Sequence, residues 1–273
     1  MGAFRRYISF VRKNMNDKLT RPGSRAGYYA LAALSLAFVL AECALWVCVQ
    51  IDFGKINDTL DYLSVILAAL FGLLTAIVNP KGEWLVRLGL LFTVVADYYL
   101  VYVNPNKELL GVSIFNFAQA SYFIYLLLLD PGVRERVTHV SLRVLAIGVS
   151  ILVCHIALGE DTDLLAVVSA VYFANLAVNV FWCLKKRKML LFAGLVAFLL
   201  CDVFVGLRTL LYDYVDVERS SLLWKMIKSD FDFIWFFYVP SQTLIALFTL
   251  GAAGKSVFAP LTHKLRGPRK ENG

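Results

Sequence analysis

Charge is what this chain has least of. Only 17% of its 273 residues are Asp, Glu, Lys or Arg, against 59% hydrophobic, a balance that excludes an ordinary soluble domain. Histidine is scarcer still: His139, His155 and His263 are the whole supply, and no two stand at ligand spacing, so no metal site is expected. The five cysteines (Cys43, Cys48, Cys154, Cys183, Cys201) are odd in number and all fall in apolar stretches. They read as small buried core residues without a redox role. Glycine-rich phosphate loops, a G-x-S-x-G elbow and nucleic-acid modules are absent, and no cofactor is implied. No signal peptide opens the chain; its first 26 residues are polar and basic, so the first apolar run is expected to act as its own insertion signal.

What the chain has is long apolar runs, at about 27–50, 60–79, 84–103, 109–129, 139–158, 163–184, 189–212 and 232–257. Runs of ~20 residues match a hydrocarbon layer of ~30 Å, and their unbroken character predicts helices, since a spanning strand alternates and is about half as long. Of the prolines, only Pro240 interrupts a run. The expectation is an all-α integral membrane protein with eight transmembrane helices over 27–257. It is preceded by a basic arm (1–26) and followed by a basic tail (258–273). The arm carries Phe4, Ile8, Val11 and Met15 at helical spacing among basic residues; an amphipathic helix on the anionic inner leaflet and a disordered arm both fit.

The net charge of +7 is distributed as the positive-inside pattern requires, not as a nucleic-acid patch. Lys185-Lys186-Arg187-Lys188, the 130–143 connection with Arg134, Arg136 and Arg143, the arm and the tail all fall on one face. The opposite connections are poor in basic residues. Both termini are therefore expected in the cytoplasm. The long 213–231 connection, with Ser220-Ser221 ahead of an apolar stretch and Trp224 for the headgroup zone, fits a short interfacial helix. Arg219, Lys225 and Lys228 there, with Arg208 of the preceding run, are either solvated or matched to a lipid phosphate.

Two of the runs carry a carboxylate. Asp97 lies 13 residues past Trp84 and Asp202 lies 13 past Met189, or roughly 20 Å at ~1.5 Å per residue. Each follows a small residue (Ala96, Cys201), and each has a Gly-Leu pair eight residues earlier, Gly89-Leu90 and Gly194-Leu195. This predicts a parallel internal repeat with both acids at one depth, in the outer half of the membrane, where Glu42 of the first run reaches a similar level. An Asp at the centre of a spanning helix costs roughly 2.5–3.5 kcal/mol on insertion scales, so such acids face a bundle interior or a wet cavity. Asp61 and Tyr62 stand near the outer end of the second run.

Polar side chains recur on the other runs: Asn116, Gln119 and Tyr122 on the fourth, Tyr172, Asn175 and Asn179 on the sixth, Tyr238 and Gln242 on the eighth. Their i, i+3, i+4 and i+7 spacings keep each set on one face. Taken singly, each fits an interhelical hydrogen bond; converging beside two carboxylates they suggest a substrate pocket of Gln119, Tyr122, Tyr172, Asn175, Tyr238 and Gln242.

These residues resemble the YhhN family of multi-pass membrane proteins, which includes the lysoplasmalogenases. The resemblance runs from about 60 to 250 and is carried by a series of short motifs in order. These are Phe92 with Asp97, then Phe115, Ala118 and Tyr122, then Tyr172, then Leu200-Cys201-Asp202, then Tyr238, Gln242 and Ile245. It implies an eight-helix fold with Asp97 and Asp202 as the catalytic pair of a hydrolase. The implied reaction is cleavage of the vinyl ether of lysoplasmalogens to an aldehyde and a glycerophospho-headgroup. The implied partners are a lysophospholipid substrate and the lipid bilayer. Four features depart from the family pattern: Ala96 where Gly is usual, Gln119 where His is usual, Asp61 where a lysine is usual, and the long 213–231 connection. Two other functions fit the same residues, a non-enzymatic lipid or solute carrier and a family member that kept the fold and lost the chemistry.

Overall fold

The computed structural model describes residues 25–51, 56–79, 82–103, 107–213, 224 and 231–251. The arm, the tail and nearly all of the 213–231 connection lie outside the described residues, and with them the amphipathic and interfacial helices that the sequence suggests.

Within them the chain forms eight α-helices and, among the described residues, no strand. They are α1 Arg25–Cys48, α2 Ile56–Leu74, α3 Trp84–Asp97, α4 Glu108–Leu128, α5 Val133–Leu158, α6 Leu164–Lys185, α7 Met189–Asp213 and α8 Phe233–Phe248. A 3₁₀ turn, Thr75–Ile77, extends α2, and a π turn, Tyr98–Tyr102, extends α3. Seven of the helices are long and apolar enough to cross a membrane; α8 is apolar but has 16 residues, about 24 Å at ~1.5 Å per residue. The helix stops where Gly251 takes φ +59, and a Cβ there would stand 2.6 Å from Asn79 Nδ2 and 2.9 Å from Glu83 Oε2.

Local chemistry starts the helices where the sequence places them. The Asp163 carboxylate accepts from Ala166 N (2.7 Å) at the head of α6, and Asp232 Oδ1 accepts from Ile234 N and Trp235 N at the head of α8. Such caps satisfy amide donors that a helix leaves open in its first turn.

Successive helices alternate in direction, as contacts at the two ends show. At one end Arg87, one turn into α3, meets the last residues of α2 and α8. At the other, Gln50 at the end of α1 bonds Asp232 at the start of α8, and Tyr62 near the start of α2 meets Tyr102 at the end of α3. Phe38 of α1 stacks on Phe71 of α2 at 4.1 Å, and Leu90, Leu195, Phe198 and Ile245 fill the centre.

The outside of the bundle is as apolar as its core. On α5, Val144, Leu145, Leu152, Val153 and Ile156 are all more than half exposed, while the buried side chains are His139 and Arg143. Exposed apolar surface on this scale is unfavourable in water by about 25 cal/mol per Å² and costs nothing against lipid tails. The chain is an integral, multi-pass helical membrane protein. Of the cysteines, Cys183 and Cys201 are buried, whereas Cys43 is exposed and Cys48 and Cys154 intermediate; a small sulfur side chain is as well placed against lipid as in the core.

Candidate active site

The two carboxylate helices are built alike. Both start where the apolar runs start, at Trp84 and Met189. Both come close to the next helix through the glycine eight residues before the acid. A Cβ on Gly89 would stand 2.2 Å from the Tyr122 ring of α4, and one on Gly194 would stand 2.8 Å from Ile245 Cγ1 and 3.2 Å from Ser241 O of α8. The paired glycines are thus the physical reason that α3–α4 and α7–α8 pack tightly.

Each acid is held by a tyrosine from another helix. Tyr238 Oη on α8 donates to Asp97 Oδ2 at 2.5 Å, and Tyr172 Oη on α6 donates to Asp202 Oδ2 at 2.6 Å. Among the described residues no hydrogen bond engages Oδ1 of either carboxyl. Asp97 is buried and Asp202 half-buried. Phe198, one turn before Asp202 on α7, joins the pairs: its ring meets Tyr238 edge-on at 5.3 Å and Tyr172 at 6.4 Å. Phe115 packs on Phe198 and Tyr172, each at 5.7 Å. Asp97 lies within electrostatic reach of Asp202, and the buried thiol of Cys201 is within reach of both. Residues from α3, α6, α7 and α8 therefore bring two hydrogen-bonded carboxyls around one aromatic cluster.

The other four residues of the expected pocket (Gln119, Tyr122, Asn175 and Gln242) have their contacts elsewhere. Asn175 Oδ1 accepts from Arg143 Nη1 at 2.5 Å, and Asn179 Oδ1 accepts from Arg143 Nη2 at 2.6 Å. Asn179 Nδ2 donates to Gln119 O and Oε1, both at 3.0 Å, and Asn175 Nδ2 reaches Asn116 Oδ1 at 3.4 Å. Gln119 and Asn175 thus belong to an amide network around Arg143, not to the acids. Tyr122 lies over Gly89, and Gln242 Nε2 donates to its neighbour Ser241 Oγ at 3.2 Å. Glu42 stands apart from the acid pair, with Oε2 accepting from Ser64 Oγ at 2.7 Å.

Arg143 is the residue that sequence reasoning misplaced. Counted there with the basic connection, it is a buried residue of α5, which begins at Val133. Its guanidinium also lies 4.1 Å from the centroid of Phe123. His139, one turn earlier, stacks on Trp182 at 3.9 Å and shares Asp130 with it: Asp130 pairs with His139 Nδ1 at 3.0 Å, Trp182 Nε1 at 3.1 Å and Lys186 Nζ at 2.6 Å. Burial works to raise the Asp130 carboxyl, but the hydrogen bonds from Lys186, Trp182 and His139 outweigh it and hold it below the usual value. The signal was available, since His139 and Arg143 stand four apart and share one helical face. Arg87 was missed in the same way, a lone cation inside an apolar run.

No curated protein and no solved structure matches the chain. The sequence profile of the YhhN family matches residues 59–249, from the first turn of α2 to the end of α8, and so takes in both acids and both tyrosines: the chain belongs to the YhhN family.

Proposed function

We propose that the protein is a membrane hydrolase that cleaves the vinyl ether of a lysoplasmalogen, or of a related lysophospholipid, by two-carboxylate acid/base catalysis at Asp97 and Asp202. The observation that carries this is the pair of acids, each fixed through Oδ2 by a tyrosine of another helix, around the shared ring of Phe198. Family membership supports the fold and the class.

A vinyl ether is cleaved by protonation of its outer alkene carbon. The carboxyl that is protonated delivers that proton, and the positive charge develops on the carbon bonded to the ether oxygen. The other carboxylate stabilises this oxocarbenium-like centre and takes a proton from the water that adds to it. The hemiacetal so formed gives up its hydroxyl proton, the carbon–oxygen bond breaks toward the glycerol oxygen, and that oxygen takes the proton. One water is consumed; a fatty aldehyde and a glycerophospho-headgroup leave. The logic is that of the two-carboxylate glycosidases. Tyr172 and Tyr238 hold one oxygen of each acid and so present the other, Oδ1, to the substrate. Positioning of this kind keeps reacting atoms within attack distance.

The basic connections support a topology with both termini on the cytoplasmic side and α8 as an eighth crossing, in which the acids lie toward the outer leaflet. The two glycine contacts support a parallel repeat of α3–α4 and α7–α8.

The test is aldehyde release from a lysoplasmalogen by purified protein in detergent. Asp97→Asn and Asp202→Asn are each expected to abolish it while eluting as the parent does. Full activity in either variant removes that residue from the mechanism; flux of lipid without aldehyde from the parent identifies a carrier instead.

A further inference from the structure

Pro240 stands inside α8, two residues after the Tyr238 that holds Asp97. A proline has no amide proton for the carbonyl four residues earlier, and its ring crowds that carbonyl out of line. In α8 the carbonyl belongs to Phe236. Inside a bilayer an open carbonyl finds no water, so a neighbouring helix has to supply the donor.

The donor comes from α1. Trp46 Nε1 donates to Phe236 O at 2.9 Å, and the two rings lie 5.1 Å apart. One turn later Gln50 exchanges two hydrogen bonds with the backbone of Asp232, both at 3.2 Å. The stretch 232–236, ahead of the break, is thus gripped at both its ends from α1. Phe204 of α7 also stacks on Phe233 and Phe237, but stacked rings slide where a hydrogen bond pins one atom. Beyond the break other helices take over: Gly194 packs on Ser241 and Ile245, and Arg87 donates to Thr249 O.

Tyr238 lies within the turn 236–240 whose backbone bond the proline deletes. At 3.6 residues per turn it leaves the helix about 200° round from Phe236, so α1 holds one side of that turn and Asp97 the other. We propose that Trp46 is a positioning residue for Asp97: it closes the break at Pro240 and so fixes the direction in which Tyr238 presents its hydroxyl. The effect on turnover rests on the proposed role of Asp97; the effect on Tyr238 rests on the packing alone. The family profile begins at residue 59, so α1 lies outside the part of the chain that it describes.

The test follows Tyr238 directly, in the full chain in detergent. Isotopic labelling at the tyrosine ζ carbon gives a nuclear magnetic resonance signal that responds to the hydrogen bond of the hydroxyl. The Tyr238 and Tyr172 signals are those missing from Tyr238→Phe and Tyr172→Phe. Trp46→Phe keeps a ring against Phe236 and removes the N–H; it is expected to shift the Tyr238 signal and leave that of Tyr172 in place. Pro240→Ala restores the amide proton at position 240, so in that background Trp46→Phe is expected to shift neither. Aldehyde release should slow roughly two- to tenfold in Trp46→Phe, the range for one neutral hydrogen bond, and no further when Trp46→Phe is added to Tyr238→Phe. A Tyr238 signal unmoved by Trp46→Phe, or moved as far with Pro240→Ala present, overturns the proposal, as does a further loss on top of Tyr238→Phe. Should Trp46→Phe alone not fold, the variant that also carries Pro240→Ala decides: its recovery supports the proposal and its failure overturns it. Aldehyde release with an unmoved signal sinks the role of Trp46 and leaves the hydrolase; a moved signal without aldehyde release from the parent does the reverse.

Discussion

Gly89 of α3 lies directly beneath the ring of Tyr122 of α4, so closely that a Cβ would stand 2.2 Å from Cε1 and 2.6 Å from Cζ. Tyr122 is fully buried and has nowhere to retreat. Gly89→Ala is therefore expected to destabilise the protein by about 1–3 kcal/mol, the usual range for overpacking, seen as a lower Tm in detergent. In a Tyr122→Ala background, which opens that space at its own cost in stability, Gly89→Ala should cost less than it does in the parent. At the equivalent Gly194 the obstacles include the α8 backbone, 3.2 Å away, which a side-chain substitution does not move; Gly194→Ala should have no such single-residue rescue.

Removing the phenol hydroxyls isolates the tyrosine contacts. Tyr238→Phe and Tyr172→Phe keep the rings packed on Phe198 and delete only the bonds to Asp97 and Asp202. A hydrogen bond to a charged group contributes about 1.5–3 kcal/mol, so the variant that bares the ionised acid should release aldehyde roughly ten- to a hundredfold more slowly, the variant that bares the protonated acid should slow less, and Tm should change little in both. Parent-like turnover in both would mean the tyrosines do not position the acids.

Arg87 ties together the end of the bundle opposite the contact between Tyr62 and Tyr102. Its guanidinium donates to the carbonyls of Gly72 (2.9 Å), Gly82 (2.5 Å), Asn79 (3.0 Å) and Thr249 (3.1 Å), and to Thr75 Oγ1. These include carbonyls that α2 and α8 leave open at their C-terminal ends. Arg87→Met would strand several buried acceptors, at about 1–3 kcal/mol each, and is expected to prevent recovery of folded protein. Arg87→Lys, with one ammonium for a five-donor fork, should rescue little.

Glu83 supplies a pH signature. It takes φ 50 at the head of α3 and accepts from Asn79 Nδ2. Burial pushes its carboxyl above the ordinary 4.5, with Asn79, Lys188 and Arg87 opposing. The folded state then binds the proton more tightly than the unfolded chain. Its contribution is full below pH 4.5 and is lost as pH rises through the folded value. Glu83→Gln keeps an acceptor for Asn79 without the charge. Its Tm should equal the parent's near pH 4.5 and exceed it at pH 8, with a flatter profile between. A parallel pair of curves would contradict this.

How much of this the chain spells out depends on the kind of force. Trp84 and Met189 begin their helices where the apolar runs begin, because hydrophobic length is a local property that any membrane enforces in the same way. Gly89 and Gly194, each eight residues before an acid, were legible only as a repeated spacing; that each admits a neighbouring helix so near emerged with the packing. The acids themselves were legible because a carboxylate in hydrocarbon is costly enough to be turned toward partners inside the bundle.

Partner choice was not legible. Tyr172, Asn175 and Asn179 form one stripe on α6, yet Tyr172 goes to Asp202 while Asn175 and Asn179 go to Arg143. A stripe fixes which face is polar but not which neighbouring helix supplies the partner. Arg143 looked like part of a solvated connection, and the extent of α5 put it inside the bundle. The sequence by itself determined a many-helix membrane protein with an acid thirteen residues past Trp84 and another thirteen past Met189, since hydropathy and helical rise act along the chain. The tertiary structure alone decided that two tyrosines from other helices grip those acids, because a hydrogen bond joins atoms 141 residues apart only once the helices between them have packed.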